Sequence, residues 1–297
     1  MEKKTHFKAG YVSVAGFPNV GKSTLLNRLI GSKLAIVSPK PQTTRSTLRG
    51  ILTLENAQVI FLDTAGIHRP KDRLGDYMVS SARLTFTDAD IIYLMVESVF
   101  PRPGEIDLIE QVKEAQKITF LVMNKVDLVK KDTLLPLIDY YRNAMVFEEI
   151  IPISAREGDN IDRLLDLTLS FLPEAPAYFS DDVISDRIER DFISEFIREK
   201  VYLNTHDEIP YSTAVVIEDM MERKAGGAYI QASIYLEKDS QKGIIIGRQG
   251  QTIKKIGMDA RREIEQFLGY QVFLDLQVKV EKKWRGKTAS LKKLGYR

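Results

Sequence analysis

Between Tyr11 and Phe171, short apolar runs alternate with segments whose apolar residues recur every three or four positions. The runs Tyr11–Ala15, Leu48–Leu54, Val59–Leu62, Ile91–Val96, Ile118–Met123 and Glu149–Ile153 predict strands. Most are continuously apolar, as expected for strands covered by helices on both faces. Helical spacing falls between them, over 22–31, about 72–86, 104–116, 132–145 and 160–171. In the first of these, Leu25, Leu26, Leu29 and Ile30 share one face. This alternation predicts an α/β fold, a doubly wound and mostly parallel sheet with ligands at the carboxyl ends of its strands.

The pattern changes at Leu172-Pro173-Glu174-Ala175-Pro176-Ala177-Tyr178-Phe179. Two closely spaced prolines end the preceding helix and predict a linker. From Val183 to about Leu203, Ile184, Ile188, Phe192, Phe196 and Val201 stand at near-helical spacing. Strand patterns follow at Thr213–Ile217 and Tyr229–Leu236, then a helix–turn–helix pattern over Gly243–Leu268 and a last strand at Gln271–Val280. The order αββααβ cannot continue the first sheet and predicts a second, α+β domain. The expected division is 1–175, a linker at 176–183, and 184–297.

Composition excludes several classes of chemistry. There is no cysteine, hence no disulfide, thiolate metal site, iron–sulfur cluster or Cys nucleophile. The three histidines, His6, His68 and His206, are far apart and read as surface or loop residues, not ligands. No apolar run approaches the roughly 20 residues that span a bilayer. Met1–His6 leads into no apolar signal core, so the cytoplasm is the expected compartment. The net charge of +2 is unevenly placed: from Ser240 onward, fourteen Lys and Arg stand against five Asp and Glu. A basic segment of this kind suits a polyanionic partner.

The candidate chemistry of the first domain begins at Gly16-Phe17-Pro18-Asn19-Val20-Gly21-Lys22-Ser23-Thr24, between the first strand and the first helix. Strand, glycine-rich turn, Lys-Ser and helix are what a phosphate-binding loop requires. Its backbone N–H groups and the helix N-terminus face an anion. Lys22 would reach the β- and γ-phosphates and Ser23 would offer its hydroxyl to Mg²⁺. Asp63-Thr64-Ala65-Gly66 follows the Val59–Leu62 run, with Asp63 placed to order the Mg²⁺ water shell and Gly66 to meet the γ-phosphate. Asn124-Lys125-Val126-Asp127 follows the Ile118–Met123 run. The Asp127 carboxylate can accept two hydrogen bonds from guanine, for which adenine has no matching donor pair. Lys125 would lie along the base plane, Asn124 would tie this loop to the phosphate loop, and after Ser154 the Ala155 N–H would donate to guanine O6.

In this order the motifs resemble the translation-factor-like GTPases that contain Gly-x-Pro-Asn-Val-Gly-Lys-Ser. The resemblance implies a first switch at Ser38-Pro39-Lys40-Pro41-Gln42-Thr43-Thr44-Arg45. One of its threonines, Thr44 by preference over Thr43, joins Ser23 on Mg²⁺. A second switch would run from Asp63 to about Tyr77. Ras-like relatives place a water-orienting glutamine where this chain has Ile67. That departure implies slow intrinsic hydrolysis helped by other groups. By resemblance to potassium-stimulated relatives, Asn19 would help hold K⁺ beside the phosphates. Lys22, Asn19, Thr44 and Gly66 are thus the expected catalytic residues.

In the second domain, Gly247-Arg248-Gln249-Gly250 lies between two short helical segments. It resembles the Gly-x-x-Gly loop of a type II KH module, which clamps the backbone of about four nucleotides. Ile244, Ile246 and Ile253 would line an apolar groove, with Lys242, Lys254 and Lys255 beside it. Trp284 would stack on a base or serve in packing.

Taken together, the two halves resemble the Era family of GTPases from about residue 8 to 285. The family implies GTP hydrolysis stimulated by K⁺ and RNA, and binding of single-stranded RNA near the 3′ end of small-subunit ribosomal RNA. It further implies a role in small ribosomal subunit assembly, a monomer, and peripheral inner-membrane association. Two alternatives are a constitutive RNA binder with a structural G domain and a GTPase that gates RNA modification. The intact Lys22, Ser23, Asp63 and Asp127 disfavour the first. The lack of cysteine and of a second nucleotide motif disfavours the second.

Overall fold

The computed structural model describes residues 7–38, 40, 43–67, 70–102, 104–222 and 226–296. Met1, His6, Pro39, Pro41, Gln42 and His68, named above, lie outside them. Contacts divide the chain into two units. The first is Met1–Ala35, Thr44–Arg69 and Met78–Asp186; the second is Ile36–Thr43, Pro70–Tyr77 and Arg187–Arg297.

In order, the first unit's elements are β1 (Lys8–Gly16), α1 (Lys22–Ile30), β2 (Leu48–Leu54), β3 (Ala57–Asp63), α2 (Arg73–Asp88, divided between the units after Tyr77), β4 (Ile91–Glu97), α3 (Glu105–Glu114), β5 (Ile118–Asn124), α4 (Leu134–Ala144), β6 (Glu149–Pro152) and α5 (Ile161–Phe171). The strands form one sheet in the order β2-β3-β1-β4-β5-β6. Only the edge pair β2–β3 is antiparallel. Register aligns Val14 with Asp63, Gly16 with Met95, and Glu97 with Asn124. The polar motifs that follow β1, β3 and β5 are therefore gathered at one edge of the sheet. The central strands β4 and β5 are almost wholly apolar because Ile92, Leu94, Leu121 and Met123 pack with Leu108 and Val112 of α3 and Leu137 and Tyr141 of α4. Leu25 and Leu26 anchor α1 at full burial, each worth about 1.5–3 kcal/mol relative to exposure.

The stretch 176–183, expected as a linker, is fixed to this unit. Gln58 is fully buried; its amide oxygen accepts from the Tyr178 and Phe179 N–H groups, and its amide nitrogen donates to the Phe179 carbonyl. Phe179 and Val183 pack on Ile51, Ile60 and Leu62. The Ile51 N–H donates to the Ile184 carbonyl at 2.9 Å, and Ser185 bridges to Gly50. This edge pairing ties 184–185 to the first unit's sheet in a non-helical path. It is why the helix expected from Val183 begins only at Glu189.

The second unit contains α6 (Glu189–Asn204), α7 (Ile209–Ser212), β7 (Ala214–Glu222), β8 (Ala228–Leu236), α8 (Asp239–Ile246), α9 (Gln251–Leu268), β9 (Val272–Val280) and α10 (Thr288–Lys293). Its sheet has the order β7-β8-β9, antiparallel then parallel. Ile230, Ala232, Ile234 and Leu236 alternate onto the buried face of β8. In α9, Ile256, Ala260 and Ile264 recur every four residues on its buried side. Ile193, Ile197 and Val201 of α6 are buried as well.

Ile36–Thr43, which takes in the expected first switch up to Thr43, belongs to this second unit, whereas Thr44 and Arg45 belong to the first. The Lys40 ammonium donates to the Tyr202 and Thr205 carbonyls at the end of α6, where a cation complements the helix dipole. Arg198, almost fully buried, donates to the Thr43 carbonyl.

Candidate functional site

The backbone from Gly16 to Lys22 wraps tightly because two residues take left-handed conformations, Asn19 at φ 67° and Gly21 at φ 104°. A Cβ on Gly21 would lie 2.2 Å from the Asn124 amide nitrogen, so only glycine fits. No side chain caps α1, and its first turn holds no acidic residue. Its leading N–H groups thus remain available to an anion. Lys22 is buried, and its ammonium donates to the Gly16 and Phe17 carbonyls at 3.0 Å each. Burial pulls its pKa down to about 8, opposed by the Asp63 charge. A phosphate beside it would supply the missing counter-charge.

Three side-chain oxygens converge next to this lysine. The Ser23 hydroxyl donates to Asp63 Oδ2 at 2.9 Å, and the Thr44 hydroxyl to the same oxygen at 3.1 Å. The two hydroxyls are 3.1 Å apart. Hard oxygen donors in this density suit Mg²⁺. The structure brings Thr44 here; Thr43 engages Arg198 through its carbonyl. Gly66 is in close approach to the phosphate loop: a Cβ there would lie 2.6 Å from the Pro18 nitrogen. The Ile67 N–H donates to the Gly16 carbonyl, while the Ile67 side chain is buried in the core with Ala15. An apolar side chain held in the core cannot orient a water.

The base-recognition motifs interlock. Asn124 is buried; its amide donates to the Val20 carbonyl at 2.7 Å and accepts from the Ala155 N–H at 2.8 Å. The Ala155 N–H expected at guanine O6 is therefore engaged by Asn124 in this structure. The Ser154 hydroxyl donates to Asp127 Oδ1 at 2.6 Å, fixing one oxygen of an otherwise exposed carboxylate. Lys125, left-handed at φ 67°, pairs with Glu97. Ser98 donates to the Asn124 carbonyl from both its N–H and its hydroxyl. Sequence reasoning missed Glu97 and Ser98. Their only signal was position: Glu97 ends β4 directly beside Asn124 across the sheet, and Ser98 follows it.

In the second unit, α8 ends at Gly247 and α9 begins after Gly250. Gly247 lies at φ 73°, Gln249 at φ 49° and Gly250 at φ 76°. A Cβ on Gly247 would meet the Thr252 hydroxyl at 2.2 Å. Arg248 and Gln249 are exposed at the loop, as are Lys254 and Lys255 on α9. Ile244 and Ile246 are 51% and 40% exposed, whereas Ile245 between them is buried. Ile244 and Ile246, two of the three isoleucines expected to line a groove, thus face solvent beside the glycine loop, while Ile253 is partly buried. Lys242 is partly exposed, with Asp239 at 4.0 Å.

Trp284 does not join them. It is fully buried, its indole N–H donates to the Ser212 carbonyl at 2.9 Å, and its ring stacks on Tyr296. No face is open to a base, so the stacking role is corrected to one in packing. Parts of the basic tail are also engaged internally: Lys279 pairs with Glu218, Arg285 with Glu237, and Lys293 with Glu281.

Sheet, phosphate loop, guanine motif and second unit define a P-loop GTPase followed by a KH domain. A family model described as a 50S ribosome-binding GTPase matches residues 11–125, and a KH domain model matches 208–285. The GTPase Era of Ruminiclostridium cellulolyticum is 49% identical over 98% of both chains. A variant of Aquifex aeolicus Era bound to GDP·AlF4⁻ superposes with a TM-score of 0.95 at 40% identity, covering 98% of this chain and 99% of that one. A structure of Era with MgGDPNP and nucleotides 1506–1542 of 16S ribosomal RNA agrees as well, with the same TM-score, identity and coverage. The chain belongs to the Era family of GTPases.

Proposed function

We propose that this protein is a GTP-operated reader of single-stranded RNA near the 3′ end of small-subunit ribosomal RNA, acting in small-subunit assembly. The carrying observation is the meeting of Ser23, Thr44 and Asp63 beside buried Lys22. Thr44 lies in the first switch, so a γ-phosphate has a direct means of ordering that segment.

Gly16 to Thr24 would cradle the phosphates, with Lys22 neutralising their charge and the Gly66 N–H meeting the γ-phosphate. Ser23 and Thr44 would hold Mg²⁺, and Asp63 would order its water shell; bound there, the ion neutralises charge developing on the transferred phosphoryl group. Asp127 would select guanine, Lys125 would cover the base, and Ser154 would fix the carboxylate. Intrinsic turnover is slow because Ile67 leaves the attacking water unoriented. Asn19, exposed and left-handed, is the residue through which K⁺ would act; replacing K⁺ by Na⁺ should lower turnover.

Gly247–Gly250 would clamp the RNA backbone, with Ile244, Ile246 and Ile253 under the bases and Lys242, Arg248, Lys254 and Lys255 on the phosphates. Coupling of nucleotide to RNA is supported by the membership in the second unit of residues 38–43 of the first switch and Pro70–Tyr77 of the second. The reading includes a monomer working in the cytoplasm. Peripheral membrane attachment rests on the family resemblance; among the described residues no helix is long and apolar enough to cross a membrane.

The test is binding of a 3′-end small-subunit RNA fragment with a GTP analogue, with GDP and without nucleotide. Tight binding confined to the analogue state supports the reading. Equal binding in all three states overturns the coupling.

A further inference from the structure

We propose that Arg28 is a positioning residue for base selection: reaching from α1, it sets the loop that holds the Asp127 carboxylate in place. The inference rests on the reading of Asp127 as the guanine acceptor.

Arg28 stands near the end of α1, six residues after Lys22, so about 9 Å of rigid helix separates the phosphate lysine from this guanidinium. Its Nε donates to the Ala155 carbonyl at 2.7 Å, and its Nη2 donates to the Arg156 carbonyl. Two hydrogen bonds from one planar cation to consecutive carbonyls fix two peptide planes together. The consequence can be followed atom by atom. The Arg156 carbonyl shares its plane with the Glu157 N–H, which points the opposite way. That N–H donates to the Ser154 hydroxyl oxygen at 3.1 Å. With its oxygen occupied as an acceptor, the hydroxyl directs its proton to Asp127 Oδ1 at 2.6 Å. Arg28 thereby determines the orientation of the carboxylate without touching it.

The loop is shaped to receive the guanidinium. Gly158 lies at φ 101°, and a Cβ there would stand 2.9 Å from Arg28 Nη1. The Gly158 N–H closes the turn on the Ser154 carbonyl at 2.8 Å. Asn124 ties the other side of the same loop to Val20. The base loop is therefore held to the phosphate-binding element from two sides. Asn124 was expected from its motif. Arg28 belongs to no motif and carries a role that the α1 hydrophobic pattern alone would leave as solvent-facing.

The experiment compares GDP with inosine diphosphate, which lacks only the exocyclic amine that Asp127 would accept. Affinities are measured for the full chain, for Arg28→Ala and for Arg28→Lys, with thermal unfolding of each. The native chain should prefer GDP. In Arg28→Ala that preference should fall about five- to tenfold, with the loss appearing in KM for GTP more than in kcat. Arg28→Lys, which keeps the charge and one donor direction, should recover part of it. Arg28 is exposed at the surface, so both variants should fold. An undiminished preference in Arg28→Ala, or an equal loss for both nucleotides, overturns the positioning role and leaves the guanine reading intact. A native chain that does not distinguish the two nucleotides overturns the guanine reading itself.

Discussion

The side-chain amide of Asn124 donates a 2.7 Å hydrogen bond to the Val20 carbonyl in the middle of the phosphate loop. The same amide accepts from the Ala155 N–H. One buried side chain thus joins the loops that would read phosphate and base. Asn124→Ala leaves a buried carbonyl and a buried N–H without these partners, at a cost of about 2–3 kcal/mol. GDP affinity should fall at least tenfold. The damage should also be confined to the first unit. Trp284, the only tryptophan, lies in the second unit, so its fluorescence transition in urea should stay in place while the circular dichroism transition of the first unit moves down. Unchanged GDP affinity would remove the role assigned to this link.

Thr43 and Thr44 are adjacent but engaged differently. Thr44 presents its hydroxyl to Ser23 and Asp63, whereas Thr43 offers its backbone carbonyl to Arg198. Thr44→Ala should slow hydrolysis at saturating GTP by about tenfold or more, with GDP affinity little altered, because the lost hydroxyl matters chiefly in the GTP state. Thr43→Ala keeps the carbonyl and should turn over GTP within about twofold of the native rate. Single-turnover hydrolysis of both variants decides the assignment, and the reverse ranking would move the switch threonine to Thr43.

The contiguous parts of this molecule were legible in its sequence. Strands β1, β3, β4 and β5 are continuous apolar runs because both their faces are covered, and the three polar motifs sit where those strands end. Residues that act across the chain were hidden. Glu97 meets Lys125 only because β4 and β5 align it with Asn124. Arg28 meets the Ala155 loop only once α1 has packed on the sheet. Ile184 and Ile188 mimic helical spacing, but hydrogen bonding to the edge of β2 holds residues 184–185 out of a helix and delays α6. Trp284 could be read either as a stacking platform or as packing until its burial against Tyr296 was seen.

The two glycines of the RNA loop are not equivalent as test positions. A side chain at Gly247 would collide with Thr252, while one at Gly250 meets no atom within 4 Å. Replacing Gly250 thus costs only the left-handed backbone strain, about 1–2 kcal/mol. Gly250→Asp should leave the fold intact yet place a carboxylate where RNA phosphates would pass. RNA affinity should fall at least tenfold, with GTP hydrolysis in the absence of RNA unchanged. Gly250→Ala separates steric loss from charge repulsion and should bind better than the aspartate variant, most clearly at low salt. Undiminished RNA binding by Gly250→Asp would move the interface away from this loop.

Acid sensitivity of the second unit should trace in part to Glu265. Its Oε1 accepts from the Val272 N–H at 2.8 Å and from Arg261 Nε at 2.9 Å, joining α9 to the start of β9. The backbone hydrogen bond to Val272, followed by that from Arg261, holds the carboxyl below its ordinary value of 4.5. A carboxyl lowered in the folded state binds fewer protons there than in the unfolded chain. Its stabilisation is therefore complete above the unfolded value and is lost as pH falls through the lower folded one. Glu265→Gln should lower the urea midpoint of the Trp284 fluorescence transition at pH 7. The gap between variant and native chain should narrow steadily below pH 4.5. A gap that stays constant down to pH 3 would mean that the loss arises from packing and not from the charge of this carboxylate.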